Sequence, residues 1–297
     1  MVHGRLKMRS EQDMKKEQHS VTHFLKISRA LWRQGDLLFC VAYNSETLEN
    51  EEWVHDMRVL LRQLLSLLDF YKPVLKKRMY IEERKAIKKQ LRALGAHRSE
   101  DVIVRDYKRY LESTEYTINQ EEEALCRDFF RGHLGKKVSS AKDPYAQRKA
   151  FYGSAARYDH QRKRWERKKV QSQGASGVVF LHKRFHELEK NRRKAEQKAF
   201  SEKVQDIHAL RIAGKVLYYN LLLHEELLAK EAEESLAYLK ILHDVTGKIH
   251  DYDAHIKIFE RYSPEEEDLL ARGSAKEYFQ REKRCWMDAF LAQLSAR

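Results

Sequence analysis

Apolar residues recur at three- and four-residue intervals along most of the chain, and this spacing predicts helices. A first helix starts near Ser20 and runs to the polar stretch 44–50. A second starts at Glu51 and ends before Pro73. The same pattern predicts further helices over 76–94, from 99, over 119–134, over 178–197, through His208 to 228, over 233–245 and over 251–261. A final helix, with Pro264 in its first turn, is predicted to run to about 294.

Two glycines are predicted to interrupt this series. Leu94-Gly95 has the form of a helix C-cap and is followed by Ser99, a good N-cap residue, and Gly247 similarly closes the segment before it. Residues 171–177 (QSQGASG) are the clearest linker. We therefore expect a polar lead-in over 1–19, a first helical repeat with a basic connecting helix over 20–172, and a second helical repeat over 173–297.

Composition favours an all-α fold. The 297 residues include only three prolines and eleven glycines, fewer than turn-rich sheet proteins usually need, and good helix formers dominate. The three cysteines are odd in number and far apart, which indicates neither a disulfide framework nor a zinc site and suits a reducing compartment. We expect a cytoplasmic protein, because the N-terminus has no apolar signal region and no apolar run is long enough to span a bilayer.

The charge balance points to a polyanionic partner. The formal net charge is +13, from 58 basic and 45 acidic side chains. Such an excess is typical of proteins that bind nucleic acid, an anionic surface or a phosphate polymer. A generally basic, soluble surface is the simpler alternative, so the placement of the cations has to decide.

One arrangement of cations occurs twice. His55 is followed by Arg58 and Arg62, and His208 by Arg211 and Lys215, at offsets of three and seven residues in both copies. On a helix these offsets put all three side chains within about 60° of one another. A pattern found twice in one chain is less easily attributed to chance than a single copy, and it indicates an internal duplication.

Landmarks downstream extend this duplication. Each copy has a lysine, Lys88 or Lys240, seven residues before its glycine, and a basic residue, Arg98 or His250, three residues after it. Two similar helical units usually pack about a pseudo-two-fold axis. Such an axis would bring the two histidine-bearing helices together, with both cationic stripes facing one groove.

The repeated His-x-x-Arg pattern, with Leu-Gly-x-x-Arg after the first copy, resembles the CHAD family of α-helical domains over residues 20–295. The resemblance implies two four-helix bundles around a basic central channel that binds inorganic polyphosphate, and it adds Tyr219 after the second copy. The family pattern has further basic residues where this chain has Gln63, Leu65, Val216 and Tyr218. We therefore expect this chain to bind inorganic polyphosphate and to associate with polyphosphate granules in the cytoplasm. The residues expected to bind are His55, Arg58, Arg62, Lys88, Arg92, Arg98, His208, Arg211, Lys215, Tyr219 and Lys240.

Two other functions remain open from the residues alone. Aromatic residues interleaved with cations over 142–169 would suit stacking on RNA bases. His243, His250 and His255 form the one dense histidine group, although their spacing matches no standard metal site. Nothing in the sequence reads as a catalytic domain, so we expect no enzymatic activity, no cofactor and no resident metal.

Overall fold

The computed structural model describes residues 20–44, 51–113, 124, 126–130, 177–228, 231–260 and 273–295. Side chains within it are described over 23–38, 53–94, 102–113, 124, 126–130, 179–228, 232–260 and 275–295. The predicted lead-in at 1–19, the basic segment 142–169, most of the linker at 171–177, and Pro264 lie outside these residues.

Long helices build this part of the chain, which confirms the predicted all-α class. They are α1 (Ser20–Asn44), α2 (Glu51–Tyr71), α3 (Lys77–Glu112), α4 (Gly177–Ala199), α5 (Val204–Leu223), α6 (Glu231–Phe259) and α7 (Gly273–Ser295). Residues 126–130 are also helical. Short 3₁₀ turns, Lys72–Val74 after α2 and Glu225–Leu227 after α5, end those two helices in similar ways.

None of the helices in the described part of the chain combines the length and the apolar character that a membrane-spanning segment requires.

The helices pack in the same order in each half of the molecule. In the first half α2 lies between α1 and α3, and in the second half α5 lies between α4 and α6, with α7 packed on α6. The halves meet chiefly where α2 contacts α5, and α1 also contacts α4 and α3 contacts α6. Corresponding helices therefore face one another, as the duplication leads one to expect, while an exact pseudo-two-fold axis stays a prediction.

The two predicted glycine breaks are wrong. Helix α3 runs through Gly95, and α6 runs through Gly247. A glycine inside a helix costs about 1 kcal/mol relative to alanine. Burial of neighbouring side chains outweighs that cost: Leu94 and Ile249 are fully buried, and each such residue stabilises the fold by about 1.5–3 kcal/mol.

Two apolar cores hold the helices. The larger contains the inner faces of α2 and α5 together with residues of α1, α3, α4, α6 and α7. The smaller joins the C-terminal parts of α3 and α6 to α7 and residues 126–130. A cavity lies where α2, α5 and α6 come together.

Buried polar contacts fix α2 against α5. Asn220 Nδ2 donates to Ser66 Oγ at 2.8 Å, and Tyr71 Oη lies 2.9 Å from His224 Nε2. The His224 Nδ1 atom donates to the carbonyl of Asn220 at 2.7 Å, so its Nε2 is the acceptor for the tyrosine hydroxyl. Since Tyr71 and His224 each lie sixteen residues after the histidine of their own repeat, the contact joins equivalent positions of the two halves.

Candidate functional site

A cavity of about 690 Å³ opens between α2, α5 and α6, with Val102 of α3 and Trp286 of α7 at its border. Its position follows from the sequence, because α2 and α5 turn their apolar stripes to the core and their cationic stripes to this side. Basic side chains dominate its walls: His55, Arg58, Arg62, Arg211, Lys215, His243, Lys248, His250, His255 and Lys257. Asp244 and Asp251 are the carboxylates among the described lining residues.

The structure brings six of the eleven predicted site residues together at the cavity wall. These are His55, Arg58 and Arg62 from α2 and Arg211, Lys215 and Tyr219 from α5. His208 stands beside the wall, where its ring lies 4.9 Å from that of His250. Arg62 and Lys215, which are 153 positions apart in sequence, therefore line the same cavity.

The other four predicted residues are placed elsewhere or are not described. Lys88, Arg92 and Lys240 do not belong to the described cavity wall. Arg92 is exposed, with Nε 3.3 Å from the carbonyl oxygen of Lys88 on its own helix, and Lys240 is exposed on α6. The side chain of Arg98 lies outside the described residues. A role of these four in binding stays a prediction.

Helix α6 supplies a third wall of the cavity, which the sequence did not predict. Residues 243, 247, 250, 251, 254, 255 and 258 line the cavity at three- and four-residue spacing. This periodicity would have revealed one continuous face, but the break predicted at Gly247 divided it. The three histidines considered for a metal site all lie on this wall. Among the residues that the structure describes, no group of three or more potential ligands is arranged for a metal ion.

Three cations, Arg62, Arg211 and Lys215, form what we call the cationic cluster. They lie where α2 and α5 meet the cavity, and the structure shows no ion pair for any of them within the described part of the chain. The buried Nε of Arg211 has no hydrogen-bond partner there. A buried donor without a partner costs about 1–3 kcal/mol, more when it is charged, so this cluster is suited to an anion from outside.

Gly247 leaves room for the cluster. A Cβ atom placed on this glycine would lie 3.9 Å from Arg211 Nε. A methyl group there would touch the guanidinium without clashing, whereas larger side chains would occupy the space beside it. Gly247, which was predicted to end a helix, therefore leaves space in the α6 wall beside the Arg211 guanidinium.

Burial and mutual repulsion change the protonation of the cluster. Burial, followed by the charges of Arg62 and Arg211, lowers the pKa of Lys215 to about 6. Burial, followed by the charges of Lys215 and Arg211, lowers the pKa of His243 to about 3. Asp251 acts in the opposite direction on Lys215 but offsets only part of the shift. The protonated forms of Lys215 and His243 are therefore unfavourable in the empty cavity.

The neighbouring groups show the same trend. Burial lowers the pKa of His208 and of His250, and the charge of Arg211 adds to both shifts. Burial also lowers the pKa of Arg211 itself and raises that of Tyr219. Arg58 is held differently, because its Nη1 donates to the carbonyl of Leu91 at 3.1 Å. That bond ties the cavity wall to α3.

At the other end of the cavity the cations have acidic partners. His255 Nε2 lies 3.1 Å from Asp106 Oδ2, and Lys248 Nζ lies 3.9 Å from Asp106 Oδ1. Lys257 pairs with Asp253 at 2.7 Å. Burial would raise the pKa of Asp106, but its hydrogen bond with His255 and the charges of Arg105 and Lys248 lower it overall. This end is electrostatically satisfied, so an anion would be drawn towards the cationic cluster.

Comparison with known proteins agrees with this architecture. The family model described as CHAD domain matches residues 40–259, which include the whole of α2 to α6. The chain belongs to the CHAD domain family. The predicted family resemblance is therefore confirmed, and apart from Trp286 every residue of the described cavity wall lies within the matched region.

A solved CHAD domain shares the fold. The crystal structure of the CHAD domain from the plant Ricinus communis is similar to this chain with a TM-score of 0.65 and 18% sequence identity, covering 93% of this chain and 91% of that one. At this identity the likeness concerns the arrangement of helices. No curated protein matches the sequence of this CHAD domain.

Proposed function

We propose that this CHAD domain binds inorganic polyphosphate in the cavity between α2, α5 and α6 and does not turn it over. The observation that carries the proposal is the convergence of Arg62, Arg211 and Lys215 on one cavity without carboxylate partners among the described residues. Such cations are unfavourable in an empty site and become favourable when an anion neutralises them.

The chemistry of the wall suits a chain of phosphates. Arginine offers a planar fork that binds two phosphate oxygens, and lysine offers a point charge. The part of α6 that lines the cavity extends from His243 to Ile258, which at 1.5 Å per residue is about 22 Å. A linear anion with a charge on every unit would contact cations from α2, α5 and α6 at once.

The described cavity wall offers few aromatic rings on which a nucleic-acid base could stack. Tyr219 and Trp286 are the large aromatic side chains on the described wall, and Tyr219 is buried. Binding of single-stranded RNA relies on exposed aromatic rings on which bases stack. The aromatic residues that the sequence analysis considered for this purpose, over 142–169, lie outside the described residues, so RNA remains the competitor for the experiment.

The direct test is competition between long-chain polyphosphate and single-stranded RNA of matched total charge. We expect polyphosphate to displace RNA, and we expect its affinity to fall steeply as salt rises, because binding releases counterions by analogy with nucleic acids. The double variant Arg62→Gln/Arg211→Gln should lose this preference. Arg193→Gln on α4, which removes an exposed charge, is the matched control. Equal or weaker binding of polyphosphate than of RNA would contradict the proposal.

A second measurement tests the absence of turnover. Polyphosphate of defined length is incubated with the protein and Mg²⁺ for several hours, and its chain length is then read on a gel. We expect an unchanged length, because guanidinium groups and a lysine protonated beside the anion hold phosphate oxygens as hydrogen-bond donors and have no lone pair free to attack phosphorus. Shortening that disappears in the double variant would show that the cavity is catalytic.

Binding of this kind would also determine where the protein resides. A cytoplasmic protein that holds polyphosphate chains would collect on polyphosphate granules. Fluorescence microscopy of the tagged protein, with the Arg62→Gln/Arg211→Gln variant beside it, tests this part of the proposal. Granule association that survives in the variant would have to depend on another surface.

A further inference from the structure

Lys215 occupies an unusual place in the cavity. Its side chain is buried, with 9% of the residue exposed, and it comes from the middle of α5. The described cavity wall that Lys215 shares carries charged and titratable groups from three helices: His55, Arg58 and Arg62 on α2, Arg211 and Tyr219 on α5, and His243, Asp244, Lys248, His250, Asp251, His255 and Lys257 on α6. Helix α4, on the other side of α5, contributes no residue to the described wall.

Few neighbouring groups stabilise the protonated form of Lys215. Arg62 and Arg211 stay charged at any physiological pH, and Asp251 is the carboxylate whose charge acts on Lys215. A second titratable base, His243, points into the same space from α6. With its pKa at about 6, Lys215 is mostly neutral at pH 7.5, and His243, with its pKa at about 3, is neutral as well.

An anion in the cavity reverses this balance. Phosphate oxygens near the cationic cluster would add negative charge to that of Asp251 and would accept hydrogen bonds from an ammonium group. We propose that polyphosphate binding is coupled to proton uptake: one proton goes to Lys215 as the anion enters, and at lower pH a second goes to His243. This inference rests on the proposed function and adds regulation of the same site by pH.

The coupling has a definite sign. Because the complex binds more protons than the empty protein, affinity falls as pH rises wherever Lys215 is neutral in the empty cavity and charged in the complex. For each proton taken up, the dissociation constant should rise about tenfold per pH unit. The window opens near pH 6, the value below which Lys215 is already protonated without a ligand.

Calorimetry measures the protons directly. Long-chain polyphosphate, whose titrating end groups are a negligible share of the chain, is added to the protein at pH 8 in Tris and in HEPES. These buffers release protons with different enthalpies, so the difference in observed heat gives the number of protons taken up. We expect about one proton per bound site in the wild-type protein.

Two substitutions assign that proton. Lys215→Arg keeps a charge that does not titrate, so we expect uptake to fall by about one proton and the pH dependence to flatten. Lys215→Met removes the titrating group without adding charge and should likewise remove the proton, with weaker binding. Lys190→Met on α4, exposed and outside the described wall, is the control for the loss of a lysine. Circular dichroism confirms that each variant is folded.

The outcomes separate the inference from the proposed function. Proton uptake that falls by about one in both Lys215 variants and not in Lys190→Met supports the coupling. Binding without net uptake, or uptake unchanged in Lys215→Arg, overturns the coupling and leaves polyphosphate binding in place. A complete lack of polyphosphate binding between pH 6 and 8 overturns the proposed function, and the coupling with it.

Discussion

Two buried arginines show how differently this molecule treats the same side chain. Arg192 on α4 is 3% exposed; its Nε donates to Glu189 at 2.9 Å and its Nη1 to Glu196 at 2.7 Å, and its guanidinium lies 5.5 Å from the ring centre of Tyr238. We call this group the Arg192 cluster. Arg211 on α5, by contrast, shares the cavity wall with Arg62 of α2 and with Lys215 one turn further along α5, and its buried Nε has no hydrogen-bond partner among the described residues.

The protonation of the two arginines reflects their surroundings. Burial alone would lower the pKa of Arg192, but the hydrogen bonds and charges of Glu189 and Glu196 raise it overall. Burial lowers the pKa of Arg211, and Asp251 offsets only part of that effect. Removing one partner of a buried ion pair is costly because it leaves the other charge buried alone, whereas a buried charge without a partner can be neutralised by a bound anion.

The largest effect is expected from breaking the Arg192 cluster. Arg192→Ala leaves Glu189 and Glu196 partly buried without their partner, so the free energy of unfolding should fall by about 3 kcal/mol. Its neighbour Arg193 is the matched control, because it pairs with the same Glu189 but its side chain is 48% exposed. Arg193→Ala should cost about 0.5 kcal/mol. Similar losses for both variants in urea unfolding would contradict the distinction.

Arg211→Gln should have the opposite profile. We expect polyphosphate affinity to fall about 10- to 100-fold, because charge-assisted hydrogen bonds contribute about 1.5–3 kcal/mol. Without ligand, the free energy of unfolding should not fall, because the substitution relieves repulsion within the cationic cluster. Isothermal titration and urea unfolding measure the two quantities. Arg193→Gln removes the same charge outside the cavity, and an equal loss of affinity there would mean that the long-range charge is sufficient.

The pH dependence of stability should also separate the two regions. The pKa of Lys215 is lowered from 10.5 to about 6 in the folded protein, so the unfolded chain binds more protons between these values. Stability without ligand should therefore rise with pH across this window, by about 1.4 kcal/mol per pH unit. Urea unfolding at pH 7, 8 and 9 measures the slope, and Lys215→Met should lack this contribution. If the free energy of unfolding changes with pH equally in the wild-type protein and in Lys215→Met, Lys215 is protonated in the empty cavity.

The Arg192 cluster should respond to pH in the acid range instead. Burial would raise the pKa of Glu189, but Arg192 and Arg193 lower it below its ordinary 4.5 overall. A carboxylate with a lowered pKa contributes stability above the unfolded value and loses it as pH falls through the folded one. The slope between pH 7 and 9 that Lys215 predicts should therefore be unchanged in Arg192→Ala.

The smallest effect is expected at Asp251. This carboxylate lines the cavity and favours the charged forms of Arg211 and Lys215. Asp251→Asn should strengthen polyphosphate binding about threefold, because it removes a repulsive charge in a partly solvated site. Asp288→Asn on α7, an exposed position paired with Arg284, is the control. Weaker binding of Asp251→Asn would show that Asp251 helps to position the cations instead of competing with the anion.

Much of the molecule could be predicted from sequence because it depends on local periodicity. The stripes of α2 and α5 follow from residues three, four and seven apart. This spacing gave both helices and the lining residues His55, Arg58, Arg62, Arg211 and Lys215, and the family resemblance added Tyr219. Lys88 and Arg92 come from the densely basic stretch 76–92, yet the structure places them, like Lys240, away from the described wall. Charge density alone does not say which side of a helix meets a cavity.

The glycines show where local reasoning fails. Gly95 and Gly247 have the signature of helix ends, and an isolated peptide would favour that reading. In the fold, α3 and α6 continue through them because buried neighbours on both sides stabilise the longer helix. The α6 wall of the cavity, with His243, His250 and Asp251, depends on that continuity, so it escaped the prediction.

The sequence by itself determined the helical class, the family and the two cationic stripes, since each is encoded in residues close together along the chain. Only the tertiary structure decided which charges are satisfied. It buried Arg192 beside Tyr238 of α6, and it brought Arg62 of α2 to Arg211 of α5. The energy of a charge depends on burial and on neighbours brought from distant parts of the chain, and no local pattern contains that information.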